Sequence, residues 1–469
     1  MADRYLTTDD IDAWSPREGS ALARGQAIRS ALDADGCDPD RQVAGPSMPV
    51  GCVALEITQR CNLDCSLCYL SEHSEATSDL PLEELFRRID TIADAYGRGT
   101  TVQVTGGDPT LRDPNELEAI VARCRDRGLV PALFTNGIRA TRSLLSRLAA
   151  AGLQDVAFHV DMTQARKGYS SEQELNEVRL DYIRRARGLG LQILFNTTVT
   201  ERTLEALPDL FAFFMDQADD VHLASFQPQA TVGRGTEAEP AIPVDLAGVV
   251  QRLDRAAGHE LGFGRLLVGH PACNLYTTVL VAGDRLVPLI GDGPFVSALL
   301  AACRGRFDFL GRRREPLSAV GAAIGIFARN PQLWPGLAVE MRRVWRGLGG
   351  VRGLWTSRFR IRRLSLHVHD FMDGDKLDHR RCEACMFMVA TRDGPLSMCV
   401  HNAKRDAMIL QPIFLSGKGA GSWHPLSGAT TDVPDPSSHG LKRTKGRTRA
   451  NLVRARRSAT SRKHTRQRL

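Results

Sequence analysis

The stretch TQRCNLDCSLCYLSE (58–72) sets three thiols, Cys61, Cys65 and Cys68, at C-x3-C-x2-C spacing and follows them at once with Tyr69. A closed zinc site wants four ligands, and a cubane iron–sulfur cluster takes one thiolate per iron, so three thiols leave one position open. An open iron on a low-potential cluster can hold a small ligand through its amine and carboxylate and pass it one electron. An incomplete zinc knuckle is the other reading of this spacing, although such knuckles are usually built from C-x2-C pairs.

A second set, Cys273, Cys382, Cys385 and Cys399, numbers four, and three of these flank a hairpin signal. Two hairpins that bring thiols together make tetrathiolate sites, so this set is expected to hold a second centre: a structural zinc, a single iron or an iron–sulfur cluster. His270 and His401 each lie two residues from one of these cysteines and are substitute ligands to consider. Cys37, Cys52, Cys124 and Cys303 stand apart and are expected as small buried apolar residues.

The elements that carry these residues are legible as alternation. Short β-rich runs at 53–58, 101–106, 130–137, 155–161, 192–199 and 220–228 are separated by stretches with helical apolar spacing, such as 82–97, 115–128 and 204–218. Six strand-then-helix units predict an α/β fold, a parallel sheet curled into a partial (β/α)6 TIM-type barrel whose chemistry sits at the C-terminal ends of the strands. The polar residues fall there: the cysteine loop, then Gly106-Gly107-Asp108, Asn136, His159 with Asp161, Asn196 and Gln227. Beyond about residue 262 the pattern changes to two hairpin signals, 274–290 and 386–400, with Gly283-Asp284 and Asp393-Gly394 at their turns. Between them, residues 304–363 carry 14 Arg, no Lys and 3 acidic residues, interleaved with Trp334, Trp345 and Trp355.

The expected organisation is an N-terminal extension (1–46), the barrel (47–240), a C-terminal α+β cysteine-containing domain with the Arg-rich insert (241–415) and a disordered basic tail (416–469). From Leu441 to Leu469 there are 12 Lys or Arg and no acid, so the tail alone turns the chain, otherwise slightly acidic, to a net charge of +7. The N-terminus is acidic and lacks the apolar segment of a signal peptide, and the longest apolar run, 317–328, is too short to cross a bilayer. A cytoplasmic protein is expected, with its eleven cysteines reduced. Arg with Trp on amphipathic helices suits a peripheral position at a lipid surface, against the plainer reading of a solvated insert; no nucleic-acid motif is present and no specific nucleic acid is expected.

The cysteine loop, its trailing Tyr69 and TGGDPT (105–110) some forty residues on resemble the core of the radical S-adenosylmethionine (radical SAM) enzymes over roughly 50–235. That resemblance implies a [4Fe-4S] cluster on Cys61, Cys65 and Cys68, S-adenosylmethionine as co-substrate, a 5′-deoxyadenosyl radical that abstracts hydrogen, and a low-potential donor of the flavodoxin or ferredoxin type. It places Tyr69, Gly106, Gly107 and Asp108 at the cofactor, with Asp108 standing where the family usually has Glu. Asn136, Asp161, Asn196 and Gln227 become candidates for ribose, adenine or substrate contacts, each equally readable as a strand-end cap. The stretches 225–235, 270–276 and 369–402 are similar to a branch that includes the archaeal tetraether lipid synthase and methyltransferases of pterin cofactors, which implies C–C bond formation or methylation on a lipid, an isoprenoid or a small cofactor. That branch usually carries an N-terminal cysteine-rich knuckle, and residues 1–52 offer only Cys37 and Cys52. A peptide-modifying maturase and a non-catalytic iron–sulfur scaffold are the competing readings.

Overall fold

The computed structural model describes residues 5–235, 243–291, 293–303, 316–415 and 421–431. The six expected strands are β1 (Cys52–Thr58), β2 (Thr101–Gly106), β3 (Val130–Thr135), β4 (Asp155–His159), β5 (Gln192–Val199) and β6 (Val221–Pro228), with helices Leu82–Tyr96, Pro114–Asp126, Arg142–Ala151, Asn176–Ala186 and Leu207–Asp216 between them. Each strand has two environments because its side chains alternate in direction. In β2, Thr101, Gln103 and Thr105 face a central cavity while Val102 and Val104 are fully buried against the outer helices. The helix Leu82–Tyr96 buries Leu85, Ile89, Ile92 and Tyr96 on that outer layer, a spacing of three and four residues that places them on one face.

The sheet does not stop at six strands. β7 (Asn274–Ala282), β8 (Arg285–Pro288), β9 (Arg362–His369), β10 (Phe387–Thr391) and β11 (Gly394–Ser397) join it, giving the order β11-β10-β1-β2-β3-β4-β5-β6-β9-β7-β8. From β10 through β9 every pairing is parallel; β11, β7 and β8 run antiparallel at the two ends. The two end strands are not paired with each other among the described residues, so the barrel stays open. The strands expected as a separate C-terminal domain thus continue the barrel sheet on both sides. The reason is physical: an open parallel sheet leaves two edges of unpaired N–H and C=O groups, and β10 of the second hairpin satisfies the one at β1 while β9, which neither hairpin signal includes, satisfies the one at β6.

Two further differences concern the last third of the chain. Part of the expected tail is structured: β13 (Gly421–Trp423) and β14 (Thr430–Thr431) form a small antiparallel sheet with β12 (Ile413–Leu415), which just precedes the tail, and Trp423 is buried with Ile413 and Leu415 against Leu80. The indole supplies much of the apolar area of this small cluster, which the composition of the segment hides. Residues 432–469, and 304–315 of the Arg-rich insert, lie outside the described residues. The rest of the insert is helical, Pro316–Arg329, Trp334–Gly347 and Gly350–Thr356. Among the described residues no helix is long and apolar enough to cross a membrane.

Candidate functional site

The inner faces of the strands enclose a cavity of about 720 Å³. Its wall is built from small or polar side chains of successive strands, including Ala54, Gln103, Ala132, Ala157, Asn196, Ser225 and Ser365. Alanine and serine at these inward positions keep the lumen open, where a TIM barrel would fill it with branched residues. Cys61, Cys65 and Cys68 line its mouth on the loop after β1, and each is partly exposed.

The three thiols lie near enough to act on one another electrostatically in every pairing. Burial pushes Cys61 and Cys65 up from the ordinary thiol range, and the neighbouring sulfurs push Cys65 further. Cys61 and Cys65 thus favour the protonated form until a cation is placed among them, the chemistry of a metal site rather than of a nucleophile. Neither this set nor the second one brings three sulfurs within 4.8 Å of one another among the described residues. Three thiols leave a tetrahedral zinc one ligand short, whereas a cubane, which takes one thiolate per iron, is left with one open iron.

Gly106 and Gly107 earn their places sterically. A Cβ on Gly106 would lie 2.0 Å from the Thr58 carbonyl oxygen, and one on Gly107 would lie 2.0 Å from that of Arg60. The backbone N–H groups of Gly107 and Asp108 donate to those same two carbonyls at 2.8 Å, so this strand end grips the start of the cysteine loop while both glycines line the cavity. Asp108 differs from the expectation of a cofactor contact. Its side chain is fully buried, accepts from the Asn136 N–H at 2.8 Å and from the hydroxyls of Thr135 and Thr110, and does not line the cavity. The carboxylate is consumed in tying the ends of β2 and β3 together.

Asn136, Asn196 and Gln227 do line the cavity. Asn136 Nδ2 donates to Asn62 Oδ1 at 2.7 Å and points the same amide at Cys61 Sγ, 3.9 Å away. Asp161, expected to reach a ligand, is instead buried: it accepts from Thr163 and from the Thr198 N–H and pairs with His159 Nε2 at 2.6 Å. Burial alone would push this carboxyl up and the imidazole down; the opposite charges outweigh it, holding Asp161 down and His159 up. His159 is the partner that faces the cavity.

Tyr69 sits in a buried network. Its hydroxyl donates to the Gly106 carbonyl at 2.6 Å, and the Arg405 guanidinium lies over its ring, 4.6 Å from the centroid. Arg405 also donates to both oxygens of Glu56 at 2.8 Å. Burial would raise the Glu56 carboxyl, but Arg405 and His401 outweigh it and hold it down to about 2. His401 is pushed down to about 3, first by burial and then by Arg405. His401 thus belongs to the Arg405 cluster, and His270 has both ring nitrogens engaged, one with Asp35 at 2.7 Å and one accepting from the Ala272 N–H.

The four cysteines of the second set converge although they come from three segments, and every pair among them interacts electrostatically. Cys273 precedes β7, Cys382 and Cys385 precede β10, and Cys399 lies in the first turn of the helix Met398–Ala403. Burial pushes Cys273 up to about 11 and moves Cys382 and Cys399 higher still. Cys273, Cys385 and Cys399 line a small pocket that shares His369, Phe371, Phe387 and Met398 with the main cavity. Cys37, Cys52, Cys124 and Cys303 are buried, as their isolation in the chain leads one to expect.

Several residues of the site carry no signal of their own in the sequence. Arg234 is buried and donates to the Cys68 sulfur, and Arg381 Nε donates to Cys273 Sγ at 3.3 Å. Arg405, Tyr276, His367 and His369 line the cavity from the far side of the chain. Only the GRG run around Arg234 hints at its role; the others become visible through the sheet order.

Residues 55–214 match the sequence profile of the Radical SAM superfamily. An AdoMet-dependent heme synthase of Nitratidesulfovibrio vulgaris is 30% identical over 166 residues, 34% of this chain and 43% of that protein. A PqqA peptide cyclase of Bradyrhizobium diazoefficiens is 29% identical over 181 residues, 37% of this chain and 46% of that one. The chain spans about half the length of these curated relatives. Among solved structures, SuiB of Streptococcus suis superposes with a TM-score of 0.35 at 17% identity, over 44% of this chain and 46% of its own.

Proposed function

We propose, for a chain whose residues 55–214 form a radical SAM domain, that it is an enzyme directing a 5′-deoxyadenosyl radical at an unactivated C–H bond of a long, mostly apolar lipid or isoprenoid chain, en route to C–C bond formation or methylation. The observation that carries the substrate class is the cavity. Its lining runs from the cysteine loop at the strand C-termini to Thr101, Gln192 and Arg363 near the N-terminal ends. Strands of five to eight residues at about 3.3 Å each make that lumen roughly 20 Å deep. Its side walls interleave apolar Ala132, Ala157, Leu194, Leu223 and Val389 with polar Gln103, Asn196, Ser225 and Ser365.

The residues fit the implied group, as three mutually interacting thiols on one loop at the cavity mouth. A [4Fe-4S] cluster on Cys61, Cys65 and Cys68, when bound, supplies an open iron and the electron that breaks the sulfonium bond of S-adenosylmethionine. The protein's own work is to orient and to exclude water. Gly106 and Gly107 leave backbone accessible at the mouth, Asn136 and Asn196 offer amides, and His159 holds a proton at Nε2 against Asp161. The second set is assigned to an auxiliary iron–sulfur cluster, with Arg381 neutralising charge at Cys273. A flavodoxin- or ferredoxin-type protein is the expected reductant, and eleven free cysteines suit the reducing cytoplasm.

A second reading is favoured by the relatives: an AdoMet-dependent heme synthase points to a small cofactor, and a peptide cyclase to a peptide. The readings separate in one assay. Anaerobically reconstituted protein is given S-adenosylmethionine and dithionite, and 5′-deoxyadenosine is followed with polyprenyl or acyl lipids, a porphyrin precursor or a peptide in turn. Lipid stimulation is the expected result, and stimulation by either of the others overturns the substrate class. A protein that holds its cluster and never yields 5′-deoxyadenosine is a scaffold, and the enzymatic reading falls.

A further inference from the structure

Residues 329–363 form a surface that radical chemistry does not explain. They contain nine Arg and a single acid, Glu340. The helix Trp334–Gly347 has no buried residue. Trp334, Ala338, Met341 and Trp345 recur at i, i+4, i+7 and i+11, which sets them in one stripe, and all four are exposed; the three large ones are 54%, 64% and 48% exposed. An amphipathic helix on a globular protein normally turns such a stripe inward. This one does the reverse. Val344 and the following Leu348 pack on Ala282 and Val287 of the β7–β8 hairpin, and Arg343 donates to the carbonyls of Pro288 and Leu289. The helix is fastened by its other side, and the tryptophans are left outward.

The turn that follows repeats the pattern. Trp355 is 70% exposed and Phe359 66%, with ring centroids 6.3 Å apart. Arg358 and Phe359 both have positive φ, 54° and 60°, a conformation that side chains other than Gly adopt at a cost. That strain is retained in a place where it keeps an aromatic ring in water. Arg342, Arg346 and Arg352 have no side-chain partner among the described residues and stand beside the apolar positions.

The turn leads directly into β9. Arg363, its second residue, is exposed and lines the main cavity. Because β9 is parallel to β6, Arg363 lies at the strand N-termini, opposite the cysteine loop. The cavity therefore reaches the surface beside the aromatic turn.

We propose that this face docks on an anionic lipid surface, with Trp334, Met341, Trp345, Trp355 and Phe359 entering the headgroup layer and the arginines on lipid phosphates, and that docking sets the far mouth of the cavity at the bilayer. Docking stands on the exposed face alone; delivery of a lipid chain into the lumen rests on the substrate reading above. Charge complementarity selects the occupant. A second copy would oppose Arg342, Arg346 and Arg352 to their own counterparts, and a nucleic acid has no use for an apolar stripe at helical spacing.

The test is flotation of the full-length, reconstituted protein with phosphatidylcholine vesicles, with and without phosphatidylglycerol. Binding only to the anionic vesicles, weakened by salt and accompanied by a blue shift of tryptophan emission, is expected. Two variants, Met341→Ser/Trp355→Ser/Phe359→Ser and Arg342→Gln/Arg346→Gln/Arg352→Gln, each lower the bound fraction about tenfold or more. All six positions are on the surface, so circular dichroism and substrate-free 5′-deoxyadenosine formation stay as in the parent. Protein left in the supernatant at low salt, an aromatic variant that floats like the parent, binding to an RNA oligonucleotide in place of vesicles, or a dimer that the aromatic variant dissolves each overturns docking. Vesicle binding without lipid-stimulated cleavage overturns the substrate reading and leaves docking intact.

Discussion

The two cysteine sets share a design and differ in construction. Each gathers thiols that interact in every pairing, and each has one guanidinium on one sulfur, the buried Arg234 at Cys68 and the half-buried Arg381 at Cys273. The first set is a single loop of eight residues with all three thiols partly exposed at the mouth of the cavity. The second draws on segments more than 100 residues apart, has four thiols, and buries Cys382 and Cys399. Three ligands at an open mouth suit a centre that must bind something else. Four ligands behind Phe371 and Phe387 suit one that is closed to ligands and works through its position.

The largest break in that comparison is the triple change Cys61→Ala/Cys65→Ala/Cys68→Ala. It is expected to abolish 5′-deoxyadenosine formation and remove about four irons per chain, while iron and sulfide bound by the second set persist, read by metal analysis and electron paramagnetic resonance. Iron that vanishes altogether would leave the second set with zinc or no metal. Cys382→Ala/Cys385→Ala is the reciprocal test. It should strip the second centre and lower the melting temperature, because the hairpin loses its tie, yet leave basal cleavage at the first set measurable.

Next in size is the ion pair under Tyr69. Arg405→Met leaves the Glu56 carboxylate buried without its partner and should cost about 3–5 kcal/mol in chemical denaturation. Its pH dependence has a definite sign. The Glu56 carboxyl is held down to about 2 in the folded protein, against an ordinary value of 4.5, so its contribution is complete above about pH 4.5 and is lost as pH falls towards 2. That amounts to about 3 kcal/mol. Glu56→Gln should flatten this part of the acid limb, and an unchanged limb would show that the pair is already broken in solution.

The smallest effect sharpens the comparison at the mouth. His159 is held above its ordinary value of 6.5 by Asp161, so its stabilisation is present below that pH and disappears as pH rises through the folded-state value. His159→Gln should remove the alkaline part of the melting-temperature profile and alter the KM for S-adenosylmethionine more than the cluster content. A variant that loses the cluster as well would make His159 a support of the cysteine loop.

Much of the barrel was readable in advance, because strands and helices announce themselves by local period: β2 begins and ends where its β-rich run does, and the helix Leu82–Tyr96 differs from its apolar pattern by one residue. Asp108 and Asp161 show where that legibility ends. Both stand at strand ends among chemistry-bearing neighbours, yet each carboxylate is spent on hydroxyls and N–H groups of adjacent strands. Sequence gives a polar residue at the right end of a strand, and the direction of its side chain depends on partners 28 or 37 residues away. The same limit hid Arg405, which meets Glu56 across 349 residues.

The amino-acid sequence by itself determined the three-thiol loop, the two glycines that allow it to be gripped, the six-fold strand–helix repeat and the concentration of arginine with tryptophan in one insert. These depend on spacing and composition over a few turns of chain. Only the tertiary structure decided that the C-terminal hairpins complete the barrel sheet, that four distant cysteines converge, that the lumen is open along its length, and that the insert's apolar stripe faces outward. Those outcomes rest on pairing of sheet edges and on which face of a helix finds a partner, and both are set by contacts between segments far apart in the chain.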